Sequence, residues 1–371
     1  MNVLVLSAYD AESHRRWHHG LVKHLSFSFT VMTLPPRFFS WRIRGNAMSW
    51  ALAHKDEFLT KKWDAIVATS MVDLATLKGL VPELALVPTL VYFHENQFAY
   101  PVNRIAGVSA RSIEPQMVTL YSALSAQKVV FNSGHNKSTF LSGVAALLKK
   151  LPDEVPNDVV KLLETKSSVI PVPLESSCFE LASVKTKARP LTLLWNHRWE
   201  YDKGPERLFA IVRQLFEQAP ELPLCFHIVG QQFRQEPAVF AELKFLLVRA
   251  GWLGEWGFLP TKTYQAVLAQ SDVALSTALH DFQGLAVLDA VAAGCTPLLP
   301  NRVAYPDFFD FEYLYSSVES ADYARETQSA VNAIKAYGHN TRLLKAPDVT
   351  QFSWPTLAPI YDQAIRSLVA E

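Results

Sequence analysis

The stretch LTLLWNHRWEYDKGPERLF, residues 191–209, holds the reading of this fold. Four of its first six residues are apolar, and a run that short and that apolar suits a strand covered on both faces. They pass into a charged loop, after which Gly204 and Pro205 open a helix, with Pro at a position where the missing N–H costs nothing. Strand, polar loop and helix in that order make half of a parallel βα unit.

The unit recurs. Upstream lie NVLVLS (2–7), FTVMTL (29–34), DAIVATS (64–70), TLVYF (89–93) and KVVFNS (128–133), and downstream LCFHIVG (224–230), DVALST (272–277) and CTPLLP (295–300). Between them are segments long enough for crossover helices. The polar stretch ESSCFELASVKTKARP (175–190) divides the two series, and 371 residues exceed one ordinary core. The expected fold is therefore α/β, with two Rossmann-like, doubly wound domains facing a central cleft. Residues 1–174 and 186–350 form the two domains, and residues 351–371 form a C-terminal helix crossing back to the first. Residues 142–167 read as a helical insertion late in the first domain, broken by their prolines.

Composition narrows the class. At 49% apolar and 19% charged, the chain is a well-packed globular protein rather than a disordered one. Cys178, Cys225 and Cys295 are scattered and odd in number, so neither a disulfide framework nor a Cys-x-x-Cys metal site is expected, and a reducing cytoplasm fits. The N-terminus lacks the basic start of a secretory signal, and no apolar run reaches the roughly 18 residues of a membrane span. The net charge is zero, yet residues 1–170 hold 18 Lys and Arg against 13 Asp and Glu, leaving 17 against 22 for the rest. That split of +5 and −5 points modestly to a polyanionic partner for the first half.

In open α/β sheets ligands bind beyond the carboxyl ends of the strands, so the residues just after each strand are the candidates. After 191–196 come Arg198 and Lys203, two cations beside a helix N-terminus, which suits a diphosphate. The same two residues could equally pair with Glu200 and Asp202 in a solvated loop. After 272–277 comes HDFQGLAVLDAVAAG, with Asp281 in a loop, Gly284 where a backbone can approach a ligand, and Asp289 on an apolar helix. No Lys or Arg lies between residues 282 and 301, so any partner for the two carboxylates comes from elsewhere. If the intervening residues were all helical, the two would stand about 12 Å apart, a nucleotide-sugar's reach from hexose to ribose. Asp281 could then hold a sugar and Asp289 a ribose, with the N–H groups of Gln283, Gly284 and Leu285 on phosphates; a helix N-cap is the plainer role for Asp281. After 89–93 comes HENQ, where His94, Glu95, Asn96 and Gln97 leave a buried strand as a dense polar cluster. Finally SHRRWHHGLVKH (13–24) and LPPRFFSWRIRGN (34–46) interleave cations with aromatic rings, a composition able to hold phosphates and unpaired bases, or to pack as surface with snorkelling arginines.

Together these residues resemble a retaining glycosyltransferase of the GT-B architecture, family 4. Arg198, Lys203 and Gly204 match that family's donor-diphosphate pair, and Asp281, Phe282, Gln283, Gly284, Asp289 and Gly294 match its Glu-x7-Glu motif with Asp at both acidic positions. More narrowly, TLPPRFFSWRIRGNA, YFHENQFAYP, FNSGHNKSTFL, NHRWEYDKGPE and FSWPTL closely resemble the tRNA-queuosine α-mannosyltransferase family. The resemblance implies GDP-mannose as donor and queuosine at the tRNA wobble position as acceptor. It implies that His94 contacts the sugar near the reacting carbon, Asp281 orients the hexose, Asp289 holds the ribose, and Gly257 with Phe258 contacts the base. Donor contacts are further expected from Phe282, Gln283, Gly284 and Leu285. For the acceptor it points to Ser13, His14, Arg37, Trp41, Arg42, Arg44, Glu95, Asn96 and Gln97. No Asp-x-Asp string occurs, so no metal and no other cofactor are expected. Two alternatives stay open: a family 4 enzyme with a lipid-linked or small-molecule acceptor, and a non-catalytic tRNA-binding protein on a GT-B scaffold.

Overall fold

The computed structural model describes residues 1–99, 113–182, 190–233, 236–318 and 322–370. Tyr100 and Pro101 of the YFHENQFAYP string, and the centre of the polar 175–190 stretch, lie outside those residues. The chain separates into two compact units, Met1–Pro173 with Trp354–Glu371, and Leu174–Ser353.

The first unit is built from β1 (Asn2–Ser7), α1 (Glu12–His24), β2 (Ser28–Thr33), α2 (Phe39–Ala53), α3 (Lys55–Leu59), β3 (Ala65–Thr69) and α4 (Leu74–Leu80). It continues through β4 (Thr89–Phe93), α5 (Ile113–Leu124), β5 (Lys128–Phe131), α6 (Gly134–Leu148), α7 (Val159–Thr165) and β6 (Ser167–Val169). All pairings are parallel, in the order β2-β1-β3-β4-β5-β6. Because side chains alternate along a strand, Leu4, Leu6, Ile66, Ala68, Val91, Phe93, Val129 and Phe131 share one buried face beneath α2, α4, α5 and α6. On the other face Trp17 of α1 stacks on Tyr92 of β4 with ring centroids 4.5 Å apart.

The second unit runs α8 (Ser176–Phe179), β7 (Leu191–Asn196), α9 (Pro205–Gln218), β8 (Leu224–Val229), α10 (Val239–Ala250) and β9 (Leu253–Gly257). Then follow α11 (Thr261–Gln270), β10 (Val273–Leu275), α12 (Leu285–Ala292), β11 (Thr296–Pro300), α13 (Tyr305–Phe308), β12 (Leu314–Tyr315) and α14 (Ala324–His339). Its sheet is also parallel, ordered β12-β11-β10-β7-β8-β9. The last helix, α15 (Trp354–Ala370), returns to the first unit. Its Tyr361 hydroxyl accepts from Trp17 Nε1 at 3.1 Å and lies 3.0 Å from the Tyr92 hydroxyl, tying α15 to α1 and β4 in a buried polar knot.

The expectation of an α/β fold with two doubly wound parallel sheets holds. Two local expectations do not. Residues 142–167 are no insertion: α6 begins at Gly134, capped by the Ser133 hydroxyl accepting from Asn136 N–H at 3.0 Å, and is the ordinary crossover from β5 to β6. Nor are the residues between Asp281 and Asp289 all helical, since α12 starts only at Leu285, so the 12 Å span does not apply.

Candidate functional site

Each unit gathers polar residues where its strand order reverses, the place where open α/β sheets bind ligands. In the second unit the reversal lies between β7 and β10. Past β7, a 3-10 turn over Tyr201–Lys203 leads to Gly204, which adopts a left-handed conformation with φ +66° and caps α9. A Cβ at Gly204 would stand 2.2 Å from the Thr277 carbonyl oxygen, so only glycine lets the turn close onto the loop after β10. That loop is tied down repeatedly. Leu279 and His280 N–H groups donate to the Asp202 carbonyl at 2.8 and 3.1 Å, and the Thr277 hydroxyl donates to the Lys203 carbonyl at 2.9 Å.

The result is a buried charge junction. Lys203, 8% exposed, donates to the His280 carbonyl at 2.7 Å and lies 3.2 Å from Asp202 and 3.5 Å from Asp281. Burial opposes its charge, but Asp281 and Asp202 outweigh that and leave its pKa raised. Asp281 answers the question its neighbours posed: its partner is Lys203, from 78 positions upstream, and its other oxygen accepts from Gly284 N–H at 2.8 Å and Gln283 N–H at 3.3 Å. Although burial pushes its carboxyl up, Lys203, His197 and those N–H groups bring it down to about 2. Arg198 pairs with Glu200 at 2.7 Å and lies 3.7 Å from Asp202, its side chain remaining 44% exposed. Thus the pairing of Arg198 and Lys203 with local acids is real, yet Lys203 sits in the interior rather than in a solvated loop.

Asp289 lies inside α12, buried, and accepts from the Cys178 thiol at 3.4 Å. α8, which carries Cys178, thereby belongs to this cluster. Phe282 and Gln283 are buried, Leu285 is half-buried, and Gly284 with φ +77° caps α12. Gly257 ends β9, and Phe258 after it is largely exposed. Sequence reasoning passed over His197. It is buried directly after β7, held neutral with its pKa down to about 4 by burial and by Lys203, and its Nε2 has no hydrogen-bond partner among the described residues. Its position one residue past a strand was the available signal. Asn196 was passed over too: its amide joins β7 to the Ala286 carbonyl at 2.8 Å.

In the first unit the order reverses between β1 and β3. His94, just past β4, stacks on His14 of α1 at 4.1 Å and meets the Trp17 ring edge-on at 5.0 Å. Burial, then the neighbouring His14 and His18, holds the His94 imidazole well below its ordinary pKa. Its Nε2 has no hydrogen-bond partner among the described residues. His14 Nε2 donates to Glu95 at 3.1 Å, and the Ser70 hydroxyl donates to the other Glu95 oxygen at 3.1 Å. Ser13 is half-buried beside them. Asn96 is fully buried, donating to Asn136 Oδ1 at 2.9 Å and accepting from Phe98 and Ala99 N–H groups, so its side chain shapes the loop. Gln97 reaches the Met71 sulfur at 3.7 Å. Of the cations after β2, Arg37 is exposed, Arg42 is buried, and Arg44 pairs with Asp73 at 2.5 Å and Glu114 at 3.2 Å; Trp41 is exposed. His18, also passed over, holds Asp10 at 2.9 Å; its spacing from His14 on one face of α1 was the readable sign.

Among the described residues no group of three or more His, Cys, Asp or Glu is arranged to hold a metal ion, and no helix is long and apolar enough to cross a membrane.

Known proteins extend these observations. Residues 2–174 match the family model described as tRNA-queuosine alpha-mannosyltransferase N-terminal. The tRNA-queuosine alpha-mannosyltransferase of Drosophila melanogaster is 30% identical over 326 residues, 85% of this chain and 84% of that protein. Among solved structures, Anabaena HepE with UDP and glucose superposes with a TM-score of 0.65 at 14% identity, over 99% of this chain and 100% of that one. Sucrose-phosphate synthase of Thermosynechococcus elongatus gives 0.70 at 13% identity, over 100% and 99%. At such identities the two structures speak for the fold alone.

Proposed function

Because the chain belongs to the tRNA-queuosine alpha-mannosyltransferase family, we propose that it is a retaining glycosyltransferase moving mannose from GDP-mannose to queuosine at the wobble position of tRNA. The observation that carries the reading is the buried junction of Lys203 with Asp202 and Asp281, beside the start of α9 and at the strand-order reversal of the second unit. A cation kept charged in the interior stabilises negative charge far better than one in water, and its hydrogen bonds keep it in position before the reaction.

In this reading Lys203 and Arg198 balance the diphosphate as it leaves. The bond from the anomeric carbon to the diphosphate oxygen breaks, the bond to a hydroxyl oxygen of queuosine forms on the same face, and the hydroxyl proton passes to the departing diphosphate. Asp281, ionised, accepts from hexose hydroxyls, and Asp289 takes the ribose. Phe258, an exposed ring after β9, suits a nucleobase. The hexose contact assigned to His94 fits an imidazole held neutral, which can donate or accept a hydrogen bond without adding charge. Arg37 and Trp41 offer the acceptor an exposed cation and ring, while His14 and Glu95 line the neighbouring polar cluster. With the diphosphate charge met by side chains, transfer proceeds without a metal. A tRNA acceptor fits the cytoplasm.

Lys203→Ala tests the assignment. Hexose transfer should fall by about 100-fold or more, the usual effect of losing one preorganised charge-stabilising group, with tRNA affinity unchanged. Equal losses in transfer and tRNA affinity would remove the role given to Lys203.

A further inference from the structure

Directly after β2 the chain turns through Pro35, Pro36, Arg37 and Phe38 into α2, and here its backbone is under strain. Phe38 adopts a left-handed conformation, φ 56° and ψ 56°, as the N-cap of α2, with no side chain capping the helix. A bulky residue rarely holds that conformation, because its Cβ crowds the following carbonyl. Asn or Gly would hold it without strain. The strain places an aromatic ring in water: Phe38 is 70% exposed. Phe39 and Trp41 follow it to the surface, giving three exposed rings within four residues. They are not loose. Phe39 meets the Tyr9 ring edge-on at 6.2 Å, and the Trp41 ring packs over Gly45, where a Cβ would stand only 2.5 Å from the indole.

The surroundings are cationic. The Arg37 guanidinium lies 5.6 Å from the centre of the Phe38 ring. Beside the same end of β2, α1 and β2 flank an open groove of about 540 Å³ lined by Arg15, His18, His19, Lys23 and Thr33 together with Val22 and Val31. Asp10 is the only carboxylate among its described lining residues; it meets His18 at 2.9 Å and Arg15 at 3.6 Å, and Glu12 of α1 also pairs with Arg15 at 3.4 Å. Exposed rings beside the exposed Arg37 complement a chain that offers flat bases and phosphates, whereas a duplex would hide the bases.

We propose that Phe38 is a stacking platform for an unpaired base of the acceptor RNA, with Phe39 and Trp41 extending it and the exposed Arg37 beside it meeting an adjoining phosphate. The proposal rests on the tRNA reading above and deepens it. The backbone strain is what aims the ring outward, and strain of this kind persists where a ligand contact requires it. A base held there registers the anticodon loop, so a tRNA is engaged where a free nucleoside is not.

Phe38→Gly removes the ring and the strain together, which separates binding from folding. Affinity of the full chain for queuosine-containing tRNA, by fluorescence anisotropy, should fall about 5- to 150-fold, the range of one lost base stack. The melting temperature should hold or rise, GDP-mannose affinity should hold, and Phe38→Trp should restore tRNA binding. Weak binding by Phe38→Gly together with absent hexose transfer by the wild type would uphold the platform while removing the mannosyltransferase reading. Wild-type tRNA affinity in Phe38→Gly would overturn the platform even if transfer is intact; a loss of self-association in that variant would then assign the rings to a protein interface.

Discussion

Replacing Asp281 by Asn deletes one negative charge while keeping an oxygen able to accept from the Gly284 N–H at 2.8 Å, so it isolates the charge that meets Lys203 at 3.5 Å and His197 nearby. The wild-type carboxyl is held at about 2 against an ordinary 3.8, despite burial that pushes it up. Nearly two units at 1.36 kcal/mol each come to roughly 2 kcal/mol in favour of the ionised form. Since the folded pKa is the depressed one, that contribution is complete above the ordinary carboxyl value and fades as pH falls through about 2. At pH 7 it is fully present. Asp281→Asn should therefore be less stable by roughly 2 kcal/mol at neutral pH, or ~4–8 °C in melting temperature for a unit of this size. Calorimetry without donor, repeated at falling pH, reads both the size and the sign. The gap should narrow steadily below about pH 4. A variant as stable as the wild type at pH 7, or a gap independent of pH, would show that the ionised Asp281 does not stabilise the junction.

Two further substitutions probe the frame around the sites. Gly204→Ala places a methyl 2.2 Å from the Thr277 carbonyl at φ +66°, so it should destabilise by ~2 kcal/mol or more and diminish any rise in melting temperature measured on adding the proposed donor, GDP-mannose. Tyr361→Phe removes a hydroxyl that accepts from Trp17 and lies 3.0 Å from the Tyr92 hydroxyl; a melt should lose about 1–3 kcal/mol with GDP-mannose affinity unchanged.

The sequence showed the strands that are buried on both faces, because an unbroken apolar run needs no context to be recognised. Those it hid are at sheet edges. β6 is mostly exposed serine and valine, β9 reads LGEWG, and β12 is two residues long, so none presents the apolar run of an interior strand. α6 was misread because its first turn is polar, although Ser133 carried the signature of a cap.

The site was legible to the same degree and for the same reason. Residues just past the strands could be named, and the absence of a local cation near Asp281 pointed to a partner from outside the segment; that part was given to donor hydroxyls, whereas a protein cation, Lys203, lies 3.5 Å away. That cation could not be read, since Lys203 and Asp281 meet only through the closing of two loops on Gly204. Likewise the Cys178 thiol reaches Asp289 across 111 positions, a contact that no local spacing encodes. For the cations after β2, charge was visible and availability was not: Arg44 is neutralised by Asp73 and Glu114 while Arg37 stands in water.

The most direct test is to incubate the purified protein with queuosine-containing tRNA and GDP-mannose in the presence of EDTA, digest the tRNA, and weigh its nucleosides by mass spectrometry. Queuosine heavier by one hexose is the expected result, and it would establish donor, acceptor and metal independence in one experiment. Queuosine unchanged, with GDP-mannose bound and the tRNA intact, would contradict the proposed function.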